Sequence, residues 1–260
     1  MFKKFFCVAC VLSCLATAAT ADTKVRFRLE FTNSEGVPIG VVREMSFDHQ
    51  LRVYVEDVRD IPQGVLSAYL NVAMVDSVNR DSRFFAYEVE YAPGFSDNQA
   101  PFDFGGRLTV GASRESSPAG PGEQLLCTIK FLADATEVAG TRQCQEITTS
   151  SVPNRDTKLF GLSSAVDPSD IDYAGVRCEF GDQDCDYLQM QIAPVSEMPP
   201  GVTSAPMGDL NFDQHVDSDD LSLLLNNFGQ FANSWSDGDL NCDGSVDSAD
   251  LGLLLNNFGT

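Results

Sequence analysis

The chain has 260 residues, enough for one domain of moderate size and a second, smaller one. Its formal net charge is −21, from 17 Lys and Arg against 38 Asp and Glu. This acidic balance excludes a nucleic-acid-binding surface, because phosphates are bound by Lys and Arg.

Residues 1–21 have the pattern of a secretory signal peptide. Lys3 and Lys4 precede an apolar run from Phe5 to Leu15, and Ala19-Thr20-Ala21 supplies a small-residue cleavage site. No later stretch is apolar enough to span a membrane. We therefore expect a secreted, extracellular or cell-surface protein; lipidation of Cys14 in a faint lipobox is the alternative.

The pattern of residues 22–193 predicts a mainly β domain. Apolar residues alternate with polar ones in a series of short runs separated by turn signals such as Pro62-Gln63-Gly64 and Gly105-Gly106. The predicted inward rows are Val25, Phe27, Leu29, Phe31; Leu51, Val53, Val55; Leu66, Ala68, Leu70, Val72, Met74; Phe85, Tyr87, Val89, Tyr91; Leu108, Val110; and Leu125, Cys127, Ile129, Phe131. Many short strands at near-regular spacing indicate an antiparallel jelly-roll or immunoglobulin-like sandwich.

Two tyrosines on the outward rows of this domain are the candidate glycan-binding residues. Tyr54 and Tyr69 are predicted to lie on neighbouring strands, where they would form either a sugar-stacking platform or a cross-strand pair that covers one sheet face. The chain's single Trp lies outside residues 22–193, so the domain lacks the residue best suited to stacking on sugars.

Five cysteines remain after the signal peptide is removed: Cys127, Cys144, Cys178, Cys185 and Cys242. Export permits disulfides, and Cys178 with Cys185 could close a short acidic loop. Cys127 is either a buried thiol or bonded to Cys144. Because five is odd, one cysteine is left over, and Cys242 is the candidate.

Residues 194–207 have the composition of a linker. Four prolines lie between Ala193 and Met207, which predicts a semi-extended connection. We expect the parts on either side of it to move independently.

The C-terminal module, residues 208–260, contains two copies of one sequence repeat. Gly208–Gly229 and Gly238–Gly259 align at a period of 30 residues and share 17 of 22 positions. Each copy has oxygen-bearing side chains at alternate positions followed by a leucine-rich helical pattern, as in EF-hand-type calcium loops. The predicted ligands are Asp209, Asn211, Asp213, His215 (carbonyl), Asp217 and Asp220 in loop 1, and Asp239, Asn241, Asp243, Ser245, Asp247 and Asp250 in loop 2.

The charge of the module supports two Ca²⁺ sites. Residues 201–260 hold ten Asp and no Lys or Arg, and two carboxylates 4 Å apart repel by about 4 kcal/mol at an effective dielectric near 20. We therefore expect a module that is largely unfolded without calcium. The sixth loop position is Gly244 in loop 2 but Gln214 in loop 1, where a positive φ would be strained, so loop 1 is predicted to be the weaker site.

A duplicated loop followed by one helix, with Asp at the twelfth loop position and no entering helix, resembles a type I dockerin. The resemblance covers residues 208–260 and implies a small all-α module that docks onto a cohesin-type protein domain. It also implies that positions ten and eleven of each loop help to select the partner: Ser218, Asp219, Ser248 and Ala249. Helical spacing predicts a packing stripe between the two copies, formed by Leu221, Leu224, Leu225 and Phe228 with Leu251, Leu254, Leu255 and Phe258. Leu223 and Leu253 lie off this stripe and would either be exposed as part of the partner surface or complete a small core. This chain departs from the family in having Asn226, Asn227, Asn256 and Asn257 where dockerins commonly carry Lys or Arg.

Two passages of the sandwich, Leu51–Met74 and Glu123–Thr149, resemble a cohesin-like sandwich related to some carbohydrate-binding modules. That resemblance implies nine strands, an unrelated immunoglobulin-like sandwich being the alternative. It also implies that the docking partner could be the sandwich of another copy of the chain.

No nucleophile elbow, HExxH motif or phosphate-cradling glycine loop occurs. The sequence therefore indicates a secreted, non-catalytic protein that docks through calcium-dependent protein–protein contacts in an assembly for polysaccharide binding or breakdown. The alternatives are a carbohydrate-binding accessory protein and, less favoured, a glycoside hydrolase.

Overall fold

The computed structural model describes residues 23–260 except 44, 48, 77–85, 97–101, 104–106, 115–116, 132–142, 151, 153–154, 173–187, 194 and 233. The predicted signal peptide, the lipidation site Cys14 and the Cys178–Cys185 pair lie outside the described residues.

The described chain contains thirteen β-strands and two α-helices. The strands are β1 Val25–Thr32, β2 Val41–Arg43, β3 Gln50–Asp57, β4 Val65–Asp76, β5 Ala86–Tyr91, β6 Phe102–Asp103, β7 Arg107–Ser113, β8 Gln124–Phe131, β9 Gln143–Ser150, β10 Lys158–Leu159, β11 Ile171–Asp172, β12 Leu188–Ala193 and β13 Ser204–Ala205. The helices are α1 Ser218–Asn227 and α2 Ser248–Asn256, and single 3-10 turns occupy Pro168–Asp170 and Trp235–Asp237.

The strands form two sheets. The first has the order β11-β1-β3-β8-β5, and the second has the order β13-β2-β12-β9-β4-β7-β6 with β10 added to β4. Most pairs are antiparallel, but β1 with β11 and β2 with β12 are parallel. The predicted mainly β sandwich is confirmed, although it is not purely antiparallel and the described strands outnumber the nine implied by the cohesin resemblance.

A continuous apolar core lies between the two sheets, and it follows the alternation seen in the sequence. Phe27, Val53 and Leu70, one from each of three strands, are fully buried. The predicted row on β8 is wrong at one position, since a register shift opposite Val53/Tyr54 places Leu126 in the core and leaves Leu125 half-buried. A β-bulge of this kind reverses the side-chain alternation locally.

The outer face of the second sheet carries the C-terminal module as a third layer. On β2 and β12, Val42 and Ile192 point into the sandwich core, whereas Val41 and Ala193 belong to a second apolar cluster shared with the module. Successive strand residues face opposite sides of a sheet. The two strands therefore contribute to both cores.

The predicted linker is not a free connection. Ser204–Ala205 form β13 on the edge of β2, where Gly40 N–H donates to Ala205 O at 2.9 Å. Met198 and Ala205 are buried in the cluster shared with the module. The expectation that the two parts move independently is therefore wrong, because the connecting segment is part of the sheet and of the common core.

The cysteine predictions are also corrected. Cys127 is a buried thiol rather than a disulfide partner, which excludes the Cys127–Cys144 bond. Cys242, predicted to be the unpaired cysteine, is disulfide-bonded.

Candidate metal-binding and docking site

The two repeats form a pair with approximate twofold symmetry. After α1, Gly229 N–H donates to Val246 O of loop 2 at 2.7 Å, and after α2 the equivalent Gly259 N–H donates to Val216 O of loop 1 at 2.8 Å. Each helix therefore ends on the other repeat's loop. The two repeats are therefore folded as one unit rather than as two independent loop–helix units.

Close packing holds this pair together. Leu224 of α1 and Leu254 of α2 are fully buried. The two equivalent glycines lie against them, since a Cβ on Gly208 would come within 3.2 Å of the Leu254 backbone and one on Gly238 within 3.3 Å of the Leu224 backbone. Both glycines also have positive φ angles, 101° and 102°, so their small size and conformational freedom are both required.

Each helix begins with a capping box made from two of the predicted calcium ligands. In α1 the Asp217 side chain accepts from the backbone at the third helical position, and the Asp220 side chain accepts from Asp217 N–H. Asp247 and Asp250 do the same in α2. These reciprocal bonds satisfy N–H groups that have no partner within the helix, and they place loop positions nine and twelve beside each other.

The predicted ligands at positions one and twelve accept hydrogen bonds from the loop backbone, and most of these bonds recur in both copies; the bond from Asp213 N–H to Asp209 at 3.1 Å is present in loop 1. In loop 1 the Asp209 carboxylate accepts from Gln214 N–H at 2.8 Å, and in loop 2 the Asp239 carboxylate accepts from Gly244 N–H at 3.0 Å. Asp220 accepts from Leu210 N–H at 2.8 Å. The backbone of each loop therefore folds around the carboxylates at its first and twelfth positions.

Those carboxylates are buried without a cationic side chain on their own module. Asp209, Asp220, Asp239 and Asp250 are all fully buried. Burial raises the pKa of Asp209 from 3.8 to about 6, and repulsion from Asp220 adds to the increase against backbone hydrogen bonds that lower it. Burial likewise raises the pKa of Asp250, with Asp239 adding to the increase. A hard divalent cation fits this donor set, because it would relieve the repulsion and accept oxygen ligands only.

Within the described part of the chain, no group of three or more His, Cys, Asp or Glu side chains is positioned to hold a metal ion. The four predicted aspartate ligands of each loop therefore do not form such a group by themselves, and each predicted set also includes an asparagine (Asn211 or Asn241) and a backbone carbonyl at position seven. Calcium binding is therefore a proposal.

The sixth loop position differs between the copies as the sequence indicates. Gln214 has φ 73° and Gly244 has φ 87°, a region that favours glycine. The predicted positive φ at Gln214 is confirmed. The structure also gives Gln214 a contact that glycine cannot make, since its Nε2 donates to Ser204 O of β13 at 3.0 Å.

The first carbonyl of each loop is bound by a buried donor from a different source. Asp209 O accepts from Trp235 Nε1 at 2.6 Å, whereas Asp239 O accepts from Gln191 Nε2 of β12 at 3.0 Å. Neither contact has a local sequence signal, because each donor lies more than 20 residues from the carbonyl that it binds.

The predicted partner-binding residues divide into two groups. Ser218, Asp219, Ser248 and Ala249 are exposed at the first turns of the helices. Leu223 and Leu253, expected off the packing stripe, are half-buried against the module core.

The predicted packing stripe is wrong at its outer members, which are exposed instead: Leu225 (52%), Phe228 (43%), Leu255 (51%) and Phe258 (46%). Of the four leucines in each helix, one is buried, two are partly buried and one is exposed. The two outward sets are equivalent under the approximate twofold.

The glycan platform is not formed. Tyr54 lies on β3 and Tyr69 on β4, which belong to different sheets, and both point away from the core between them. Tyr54 is instead covered by Arg28, whose guanidinium carbon lies 4.0 Å from the ring centroid.

Comparisons with protein-family models and with curated proteins gave no match. The chain is similar in structure to cohesin modules. One is the third cohesin of ScaC, in complex with the ScaB dockerin, from Acetivibrio cellulolyticus, with TM-score 0.37, 11% identity, and coverage of 66% of this chain and 99% of that one. The sixth cohesin of scaffoldin B from the same organism, in complex with a mutant Cel5 dockerin, has TM-score 0.30, 12% identity, and coverage of 48% and 82%.

The third is the type III cohesin module of the cellulosomal cell-surface anchoring scaffoldin ScaE of Ruminococcus flavefaciens, with TM-score 0.41, 12% identity, and coverage of 68% and 92%. At TM-scores below 0.5 these similarities do not define the function of this chain. In the parts of the chain that the structure describes, neither helix has the length and apolar character needed to cross a bilayer.

Proposed function

We propose that the protein is a secreted, non-catalytic assembly protein whose C-terminal module, loaded with two Ca²⁺ ions, docks onto a cohesin-type protein domain in an extracellular assembly linked to polysaccharide binding or breakdown. The observation that carries this proposal is the pair of equivalent loops, each with two fully buried carboxylates and no Lys or Arg in residues 201–260.

Calcium would be held by the residues that the loop spacing indicates. Asp209, Asn211, Asp213, Asp217 and Asp220 would hold the first ion with the carbonyl of His215; Asp239, Asn241, Asp243, Asp247 and Asp250 would hold the second with the carbonyl of Ser245. Bound calcium supplies positive charge that offsets the repulsion within each loop. The protein's own contribution is the backbone hydrogen bonding that already orients the acidic side chains.

The docking surface would be the twofold pair of exposed apolar residues at the ends of the helices, Leu225, Phe228, Leu255 and Phe258. Each helix end contacts the loop of the other repeat, and the helices that follow those loops start at exposed Ser218 and Ser248. Exposed apolar groups rimmed by polar residues are typical of protein interaction sites. Since the two halves are equivalent, the partner could bind in either of two orientations.

Calcium binding is tested by titration calorimetry on the mature protein, with circular dichroism in calcium and in chelator. We expect two binding events and a loss of helix signal in chelator, because the metal free energy contributes to folding of the module. If the titration shows no heat and the helix signal is the same in both conditions, the calcium proposal is wrong.

Docking is tested by calcium-dependent pull-down with cohesin-type domains and with the sandwich of the chain itself as baits. The double variant Leu225→Asp/Leu255→Asp should abolish capture, whereas each single variant should retain it if both orientations are used. Ile61→Asp is the matched control, since Ile61 is exposed on the sandwich. Unchanged capture by the double variant would move docking away from this surface.

A further inference from the structure

Loop 2 of the module is attached to the sandwich by a buried side chain. Gln191, on the outward face of β12, is fully buried. Its Nε2 donates to two consecutive carbonyls of loop 2, Asp239 O at 3.0 Å and Leu240 O at 2.8 Å. Only the amide nitrogen can satisfy two acceptors at once, so the orientation of Gln191 is set by the loop.

Apolar packing between the sandwich and the module surrounds the Gln191 contact. Val41 and Ala193 of the sandwich lie in one apolar cluster with Leu240 and Val246 of loop 2, and Leu210 and Val216 of loop 1 belong to the same cluster. The bonds from Gln191 are therefore what distinguishes loop 2. The connecting segment adds Met198 to this cluster. Because protein interiors are close-packed, a rearrangement of loop 2 would be felt directly by β2 and β12.

The two loops also differ at their fourth position. Cys242 of loop 2 is disulfide-bonded, whereas loop 1 has Phe212 at the equivalent position.

Loop 1 receives the equivalent support from within the module. Its first carbonyl, Asp209 O, is bound by Trp235 Nε1 at 2.6 Å, and Trp235 belongs to the segment between the two repeats. The sandwich strand β12 thus does for loop 2 what the inter-repeat segment does for loop 1.

From this arrangement we propose that the sandwich is a structural component of the second calcium site, with Gln191 as its positioning residue. The proposal rests on the proposed calcium binding and adds to it a coupling between metal and sandwich. Because a ligand stabilises whatever must be folded to bind it, calcium at loop 2 stabilises β2 and β12. Calcium at loop 1 should act on the module and on β13, which Gln214 contacts.

The coupling is tested first on the wild-type mature protein by hydrogen exchange in calcium and in chelator. We expect calcium to slow exchange in peptides that cover 39–43 and 188–205 as well as in peptides from 208–260. If the protein binds two calcium ions but the slowing is confined to 208–260, the coupling is wrong while the proposed function stands. If no calcium binds, both are wrong.

The role of Gln191 is tested by comparing two variants in backgrounds that keep one loop each. Gln191→Leu removes both N–H donors of the side-chain amide while keeping a side chain of similar size. With loop 1 disabled by Asp213→Ala, we expect it to weaken calcium binding at loop 2 about ten-fold, because two hydrogen bonds that hold the loop are lost, and to remove the slowing of exchange at 188–205.

The matched control is Trp235→Phe, which removes the equivalent donor of loop 1. When loop 2 is disabled by Asp243→Ala, Trp235→Phe should weaken calcium binding at loop 1. When loop 1 is disabled, Trp235→Phe should change neither calcium binding at loop 2 nor the effect of that calcium on β12. Equal effects of Gln191→Leu on both loops would indicate general destabilisation and overturn the assignment. If Gln191→Leu does not fold, the wild-type exchange measurement decides by itself.

Discussion

The two repeats of the C-terminal module are nearly the same in sequence but lie in different surroundings. Loop 1 is closed by contacts inside the module, with Trp235 on its first carbonyl, and by Gln214, which reaches β13. Loop 2 has glycine at that sixth position and is held by Gln191 of the sandwich. The comparison shows that a duplicated unit can keep most of the hydrogen bonds among its predicted ligands while the donor to its first carbonyl comes from a different part of the chain in each copy.

The difference also affects how each loop should respond to substitution. Loop 1 has a strained residue at position six, and its first carbonyl is bound by one buried aromatic side chain. Loop 2 has no strain at position six, and its first carbonyl is bound by a side chain of the sandwich. Substitutions at these supports should therefore separate the two copies more clearly than substitutions at the shared ligands.

The largest effect is expected from Trp235→Ala, which removes the support behind loop 1. Trp235 is the largest fully buried side chain, so the cavity and the lost bond to Asp209 O should lower the free energy of unfolding by about 3–5 kcal/mol. Urea denaturation followed by circular dichroism measures it. Trp235→Phe, which keeps most of the bulk, should cost clearly less; equal losses would show that packing is not the main contribution.

An intermediate effect is expected at position six, where the copies differ in backbone strain. Gly244→Ala meets open space but must adopt φ 87°, so it should destabilise loop 2 by about 1–2 kcal/mol. Gln214→Gly relieves the corresponding strain in loop 1 but loses the bond to Ser204 O, so its net effect should be smaller. Calcium titration of variants that keep only one functional loop measures both effects. If Gly244→Ala does not lower the calcium affinity of loop 2, strain at position six does not explain a weaker loop 1.

The smallest effect is expected within the helices. Gly252 of α2 corresponds to Ser222 of α1, and a Cβ on Gly252 meets no atom within 4 Å. Gly252→Ala should therefore stabilise the module by about 0.5–1 kcal/mol. Ser222→Ala should gain less, since the Ser222 hydroxyl already donates to Ser218 O. Thermal unfolding of the two variants compares them, and a loss of stability in Gly252→Ala would mean that this face of α2 is covered.

The features that sequence predicts well here are local. Strands β1, β3 and β4 follow from alternation alone, and the capping boxes have a local signal in an Asp three residues after another Asp at the start of a helical pattern. The positive φ at Gln214 follows from its place in a twelve-residue loop. In each case the residues that decide the structure lie within a few positions of one another.

The features that sequence does not predict depend on contacts between distant segments. Leu223, Leu224 and Leu225 are three consecutive leucines, and periodicity alone could not show which of them the other repeat would cover. The bulge that puts Leu126 in place of Leu125 is set by its partner strand. Pro-rich composition predicted a semi-extended segment over 194–207, but its described part contains turns, and only Ser204–Ala205 forms a strand. Composition could not show that this strand pairs with β2.

The position of the chain's single tryptophan gives the protein a built-in optical reporter. Trp235 is fully buried and its indole N–H is bonded to the backbone of loop 1, so its emission maximum and quantum yield depend on whether that loop is closed around it. Ion occupancy of one loop can therefore be followed by fluorescence in the unlabelled native protein, while the other loop contributes no indole signal of its own.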